Sequence, residues 1–127
     1  MAKIENLKDL NVWQEARKLG QGVYLITGKF PKYELYNISK HLRENGRGIP
    51  ANIAEGFGRY FFKEKLRFYG IAKGCLEELR NDIYFSYDNH YIKKEIFDKF
   101  ITQINKINRQ LNGLISTTIS FLKKRLK

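Results

Sequence analysis

Apolar residues recur at intervals of three and four along four long segments, and no segment shows a sustained alternation of apolar and polar residues. This spacing gathers apolar side chains on one face of an α-helix, whereas a strand requires a period of two. In the last segment Phe97, Phe100, Ile104, Ile107 and Leu111 continue in a near-heptad ladder, which is typical of a coiled-coil seam. The pattern predicts an all-α chain.

Short connections between long amphipathic helices favour an antiparallel up-down-up-down four-helix bundle, as one domain spanning residues 1–127. Gly and Pro in residues 28–32 end the first helix, and Asn89 with His90 forms a later turn. Asp9 is a candidate N-cap. The predicted helices cover about 9–27, 33 or 34 to 56–58, 63–88, and 93 to the end.

The stretch of residues 47–59, RGIPANIAEGFGR, interrupts this regularity with a proline and several glycines. Pro50 removes an amide donor and crowds the carbonyl one turn earlier. We predict that the second helix continues through Pro50 with a bend and ends at Gly56 to Gly58. The small residues of this stretch would let another helix or another subunit approach closely.

The charge balance indicates an anionic partner. Twenty-four Lys and Arg residues against 13 Asp and Glu give a net charge of +11. The partner could be nucleic acid, an acidic protein or a membrane surface. The alternative is a basic protein that has no anionic partner. A lone cysteine, Cys75, excludes an intramolecular disulfide. The first residues lack a signal-peptide pattern and no apolar run approaches the length of a membrane span, so we expect a cytoplasmic protein.

Alternating helix directions would collect most of the excess charge at one end of the bundle. Residues 59–67 carry a net charge of +3 and residues 119–127 carry +4, whereas the segments of the opposite end cancel. Cations at the end of the last helix favour its macrodipole, but cations that open the third helix do not. We call this predicted phosphate-binding set the basic pole: Arg59, Lys63, Lys65, Arg67, Lys123, Lys124 and Arg125.

Three aromatic residues, Tyr60, Phe61 and Phe62, lie within the basic pole. Their rings would stack on unpaired bases, or would belong to the core or to a subunit interface. The sequence favours core or interface.

Familiar catalytic and metal-binding patterns are absent from the sequence. No G-x-x-x-x-G-K-S/T motif occurs, and Gly56-Phe57-Gly58 follows a helix, which argues against a nucleotide fingerprint. His41 and His90 are far apart and Cys75 has no second cysteine, so neither a metal nor a cofactor is expected. A Cys75–His41 nucleophile pair is an open alternative to a structural cysteine.

Asn52 and Glu55 lie three residues apart on the second helix and therefore share a face. A buried polar pair needs partners, and Arg43 and Arg59 are candidates. We predict a structural polar network of Arg43, Asn52 and Glu55. An enzymatic pocket built from the same three residues is the alternative.

Several of these features resemble one protein family. Val12-Trp13, Phe30-Pro31 with Glu34, Leu42-Arg43 and the block from Ile49 to Arg59 are similar to the four-helix-bundle proteins encoded by 23S rRNA intervening sequences and their free-standing bacterial relatives. The resemblance covers most of residues 9–90. It implies a ring-like homopentamer without established enzymatic activity. The chain also resembles, more distantly, the accessory variability proteins of diversity-generating retroelements, which are basic, pentameric and nucleic-acid-binding.

One departure from the family pattern is local. The second arginine and small residues that usually follow Leu42-Arg43 are replaced by Glu44, Asn45, Gly46, Arg47 and Gly48. The doubled basic site is therefore reduced or shifted to Arg47.

The sequence thus predicts a non-enzymatic, oligomeric bundle that binds RNA in preference to DNA through phosphate contacts, with rRNA as a candidate. The alternative is an oligomeric adaptor that docks an acidic protein and has no direct role with nucleic acid.

Overall fold

The computed structural model describes residues 4–126 and is helical throughout its regular structure. Four long helices account for most of the chain, and no strand occurs in the described range. Two short 3-10 helices precede the first and second of them, at Leu7–Asp9 and Lys32–Glu34. The four helices are α1 Asn11–Thr27, α2 Ile38–Gly58, α3 Phe62–Asp88 and α4 Lys94–Arg125. The predicted all-α class is confirmed.

The predicted start and end of α3 and the predicted start of α4 agree with the structure to within one residue. The predicted starts of α1 and α2 were wrong. Asp9 lies in a 3-10 helix, and Leu10 precedes α1 with an extended backbone and no side-chain cap. The second helix begins at Ile38 instead of Tyr33 or Glu34. The Tyr91 hydroxyl donates to Glu34 Oε2 at 2.8 Å and holds the preceding segment in a separate 3-10 turn.

The core is a continuous apolar cluster to which all four helices contribute. Helix α2 packs against α1 and α3, and α4 packs against α3 and α1. Burial of these side chains is the main stabilising term of the fold. The fully buried large residues are Leu19, Val23, Leu42, Ile49, Ile53, Leu76, Leu79, Ile83, Ile104, Ile107 and Leu111.

Helices α1 and α2 cross at two glycines. A Cβ on Gly20 would lie 2.7 Å from the carbonyl oxygen of Gly46, closer than real Cβ contacts. This carbonyl is the one that an amide at position 50 would bond in a regular helix, and Pro50 has no amide proton. Helix α2 nevertheless continues through Pro50, as predicted.

A second close approach lies near the end of α2. A Cβ on Gly56 would lie 2.6 Å from Cε1 of the buried Tyr69 ring on α3. Gly56 therefore permits the helix-to-helix contact expected of small residues in this part of the chain, whereas the glycine that the α1–α2 crossing requires is Gly20 of α1.

Candidate nucleic-acid interface

A lysine at the start of α3 caps the carboxyl end of α2. Lys65 Nζ donates to the carbonyl oxygens of Phe57 at 2.8 Å and Gly56 at 3.3 Å, both in the last turn of α2. A cation at this end of a helix is favourable, because the terminal carbonyls carry partial negative charge. Lys65 therefore has a structural role that the sequence analysis missed when it assigned the residue to the phosphate-binding set.

Two arginines lie over one aromatic ring beside the connection between α2 and α3. The guanidinium carbons of Arg59 and Arg67 are 4.8 and 5.3 Å from the centre of the Phe68 ring. Arg59 also lies 3.5 Å from Glu55, and both side chains of this ion pair are about half exposed. Solvent weakens such a pair, so Glu55 only partly offsets the charge of Arg59.

The end of α4 meets the start of α3 through aromatic contacts. The rings of Phe62 and Phe121 stack with centroids 6.1 Å apart. Arg125 lies 5.5 Å from the Phe62 ring, and Lys124 lies 5.7 Å from the Phe121 ring. The cations of residues 59–67 and of the α4 end are therefore adjacent in space.

Two exposed lysines at this end of the bundle have no ion-pair partner within residues 4–126. Lys63 and Lys123 are exposed, and neither forms an ion pair within residues 4–126. These two lysines present their charges to solvent, so an anion can reach them without first breaking an ion pair.

The three residues of the predicted polar network have separate partners. Arg43 donates to Thr27 Oγ1 at 2.9 Å and lies over the Tyr24 ring. Asn52 donates to the carbonyl of Gly48 at 2.8 Å within its own helix, and Glu55 pairs with Arg59. No contact recorded in the described range joins Arg43, Asn52 and Glu55 to one another.

Two open grooves flank α2, and none of the three network residues lines either of them. The groove between α1 and α2 has a volume of about 620 Å³ and includes Tyr24, Leu25, Arg47 and Pro50. The groove between α2 and α3 has a volume of about 460 Å³ and is polar, with His41 and three carboxylates. Within it, burial raises the pKa of Asp82.

Cys75 has the surroundings of a structural cysteine. It is half-buried, and its Sγ would lie 3.2 Å from a Cβ on Gly48 of α2. Burial raises the pKa of the thiol, with a further contribution from Glu78, and so disfavours the nucleophilic thiolate.

Residues 4–126 contain no cluster of three or more His, Cys, Asp or Glu side chains that could hold a metal ion. None of the described helices is long and apolar enough to cross a membrane.

The contacts between these cations and aromatic rings were not predicted from the sequence. Phe68 directly follows Arg67, and Phe121 lies three residues before Lys124, which is a contact distance along a helix. These spacings were a usable signal. The contact of Phe62 with Phe121 joins two distant parts of the chain and left no local signal.

Comparison with known proteins gives a family and a structural neighbour. The family model described as 23S rRNA-intervening sequence protein matches residues 8–113. A crystal structure of a protein of unknown function from the S23 ribosomal protein family of Bacteroides thetaiotaomicron superposes with a TM-score of 0.74. The sequences are 20% identical, and the match covers 82% of this chain and 97% of the other.

No curated protein shows significant similarity to the chain. The resemblance to the accessory variability proteins of retroelements stays a prediction.

Proposed function

The chain belongs to the 23S rRNA-intervening sequence protein family, and we propose that it binds nucleic acid, RNA in preference to DNA, through phosphate contacts at the basic pole. The proposal includes no catalysis and no cofactor. The choice of RNA follows the name of the family, which points to rRNA as a candidate ligand. Such a role would place the protein in the bacterial cytoplasm.

One observation carries the proposal: Arg125, in the last turn of α4, lies over Phe62, the first residue of α3. The nearest cations of the two basic segments, Arg67 and Lys123, are 56 residues apart in sequence. Aromatic side chains of the two segments, Phe62 and Phe121, nevertheless stack on each other. Because repulsion between clustered cations opposes folding, such a cluster is explained most simply by an anionic ligand.

The cluster requires neighbouring helices to alternate in direction, which is part of the proposal. Contacts between α2 and α3 support it, because Gly48 lies beside Cys75 whereas Gly56 lies beside Tyr69. Residue numbers rise along α2 from Gly48 to Gly56 while the numbers of their contacts on α3 fall from Cys75 to Tyr69, which is the pattern of antiparallel helices. Contacts of α3 with α4 follow the same rule, from Phe62 with Phe121 to Tyr87 with Phe97.

The chemistry of the pole suits phosphates better than base edges. Five of its seven cations, Lys63, Arg67, Lys123, Lys124 and Arg125, are exposed. Such groups neutralise a phosphate chain and release its counterions without reading the sequence. Binding is therefore expected to be strongly salt-dependent and weakly sequence-specific.

Self-association would amplify this field. We propose a ring-like homo-oligomer, with a pentamer favoured by the family resemblance. The exposed Tyr24 and Leu25, which are 53% and 74% accessible beside the α1–α2 groove, offer apolar surface for a neighbouring copy. A ring would repeat the basic pole once per subunit on a shared surface.

The proposal is tested by removing exposed lysines from one end and then the other. The triple variant Lys63→Ala, Lys123→Ala, Lys124→Ala is compared with Lys29→Ala, Lys32→Ala, Lys93→Ala, which removes the same charge from the connections at the other end. Affinity for a fluorescent single-stranded RNA is measured at low salt.

The pole variant should lose about tenfold or more in affinity, because each lost phosphate contact removes a share of the counterion release. The control variant should change the affinity by about twofold at most. Equal losses in both variants would mean that net charge, and not the basic pole, determines binding.

A further inference from the structure

Two aromatic rings at the basic pole are exposed to solvent. Tyr60 and Phe61, in the connection between α2 and α3, are 76% and 64% accessible. Their rings contact each other edge to face, with centroids 5.1 Å apart. Neither ring is part of the core of this chain, so one of the structural roles that the sequence favoured does not apply to them.

These rings stand among cations that are themselves held on aromatic faces. Phe61 is followed directly by Phe62, which carries Arg125 and stacks on Phe121. Arg59 precedes Tyr60 and lies over Phe68. The surface thus alternates flat apolar faces with positive charges over residues 59–68 and the end of α4.

The geometry points to single-stranded nucleic acid, or the unpaired loop of a folded RNA, as the ligand of the basic pole, with Tyr60 and Phe61 stacking on its bases. This inference rests on the proposed function and adds the class of ligand. Aromatic platforms beside a cationic track are the usual means of holding an unpaired strand.

Base pairing decides between the two forms of nucleic acid. In a duplex the base faces are stacked on one another, so exposed rings have nothing to stack against and only the phosphates remain available. In an unpaired strand each base has a free face and each phosphate keeps its charge. A surface that carries both rings and cations therefore gains more from the unpaired form.

The backbone at these positions does not depend on the rings. The carbonyl of Phe61 accepts the first-turn bond from the Lys65 amide at 3.1 Å, which any residue could provide. The side chains of Tyr60 and Phe61 are mostly exposed and do not belong to the core cluster. Replacing them should leave the folded chain intact.

The experiment compares the double variant Tyr60→Ala, Phe61→Ala with Tyr36→Ala, which removes a tyrosine that is 85% exposed in the connection before α2. Each protein is titrated into an oligouridylate of about 15 nucleotides and into an RNA hairpin duplex of similar charge. The ring-preserving variant Tyr60→Phe, Phe61→Tyr is the rescue control. Sedimentation velocity records the oligomeric state of each.

We expect the double alanine variant to lose about 5- to 100-fold in affinity for the unpaired strand and less than about twofold for the duplex. The slope of affinity against salt should stay unchanged, because the phosphate contacts remain. Tyr36→Ala and the ring-preserving variant should bind like the parent protein.

Three results would overturn the inference. Equal losses on strand and duplex would show that the rings do not read unpaired bases. Unchanged affinity with a salt-dependent parent would refute stacking while leaving the phosphate proposal intact. A change in oligomeric state with unchanged RNA affinity would assign the rings to a subunit interface. Failure of the parent protein to bind either RNA would instead refute the proposed function itself.

Discussion

The crossing of α1 and α2 gives the most sharply defined stability prediction. Replacing Gly20 by Ala introduces a Cβ that would lie 2.7 Å from the Gly46 carbonyl oxygen. Ordinary contact begins near 3.4 Å, so the helices must separate by roughly 0.7 Å. The opposing atom is backbone and cannot rotate away, unlike the end of a side chain.

Two opposing effects set the magnitude. Overpacking of a close helix contact costs about 1–3 kcal/mol, and a backbone obstacle belongs to the upper part of that range. Replacing glycine by alanine in a helix returns about 1 kcal/mol through propensity and the lower entropy of the unfolded chain. The net expectation for Gly20→Ala is a loss of about 1–2 kcal/mol.

Gly74→Ala is the matched control. Gly74 lies inside α3, and a Cβ there would meet nothing within 4 Å. Only the propensity effect remains, so this variant should gain about 0.5–1 kcal/mol.

Thermal unfolding followed by circular dichroism, at one protein concentration, measures both variants. At this chain length 1 kcal/mol corresponds to about 4 °C, so Gly20→Ala should melt about 4–8 °C lower and Gly74→Ala about 2–4 °C higher. If Gly20→Ala is as stable as Gly74→Ala, the two helices do not approach as closely as the structure requires.

Three further predictions follow from single contacts. Lys65→Met keeps the aliphatic stem but removes the bonds to the Gly56 and Phe57 carbonyls. In urea titration it should lower the unfolding free energy by about 1–2 kcal/mol, whereas Lys63→Met should not. Equal stability of the two variants would contradict the capping role of Lys65. Burial raises the pKa of Cys75, so the folded protein favours the neutral thiol. The contribution of this thiol to the free energy of unfolding is therefore present at neutral pH and is lost as the pH rises through the raised pKa. Iodoacetamide should therefore alkylate Cys75 slowly in the folded protein and faster in urea, and equal rates would contradict its burial. Tyr91→Phe removes the hydroxyl that bonds Glu34 and should lower the melting temperature. Tyr36→Phe, whose hydroxyl has no hydrogen-bond partner in the described range, should leave the melting temperature unchanged. Equal melting temperatures of the two variants would show that the Tyr91–Glu34 bond does not hold the 3-10 turn.

Helix content and the bounds of α3 and α4 followed from the sequence, because apolar periodicity over many residues reports directly which face is buried. The start of α2 did not, because the backbone at Asn37 is non-helical and the turn before it is bonded to Tyr91, 57 residues from Glu34, a contact with no local signal. The prediction of Asp9 as an N-cap was also wrong. The short segment that contains Asp9 forms a 3-10 helix instead, and local preference does not determine which of the two conformations prevails.

The candidate site was only partly accessible to sequence reasoning. Charge counting identified both basic segments, but it could not separate Lys65, which serves the end of α2, from Lys63, which faces solvent. The sequence analysis placed Asn52 and Glu55 on a shared helix face and added Arg43 as a candidate partner, because a buried polar pair needs one. The structure gives each a nearer partner, Gly48 and Thr27, because the backbone and a neighbouring helix compete for the same polar atoms.

The central claim, that clustered cations at one end of the protein hold a phosphate chain, is tested most directly by a salt titration of the parent protein. Dissociation constants for a single-stranded RNA are measured from low to physiological salt. We predict a log–log slope of about −3 or steeper, equivalent to about four or more phosphates neutralised. A slope near zero, or no binding at low salt, would contradict the claim.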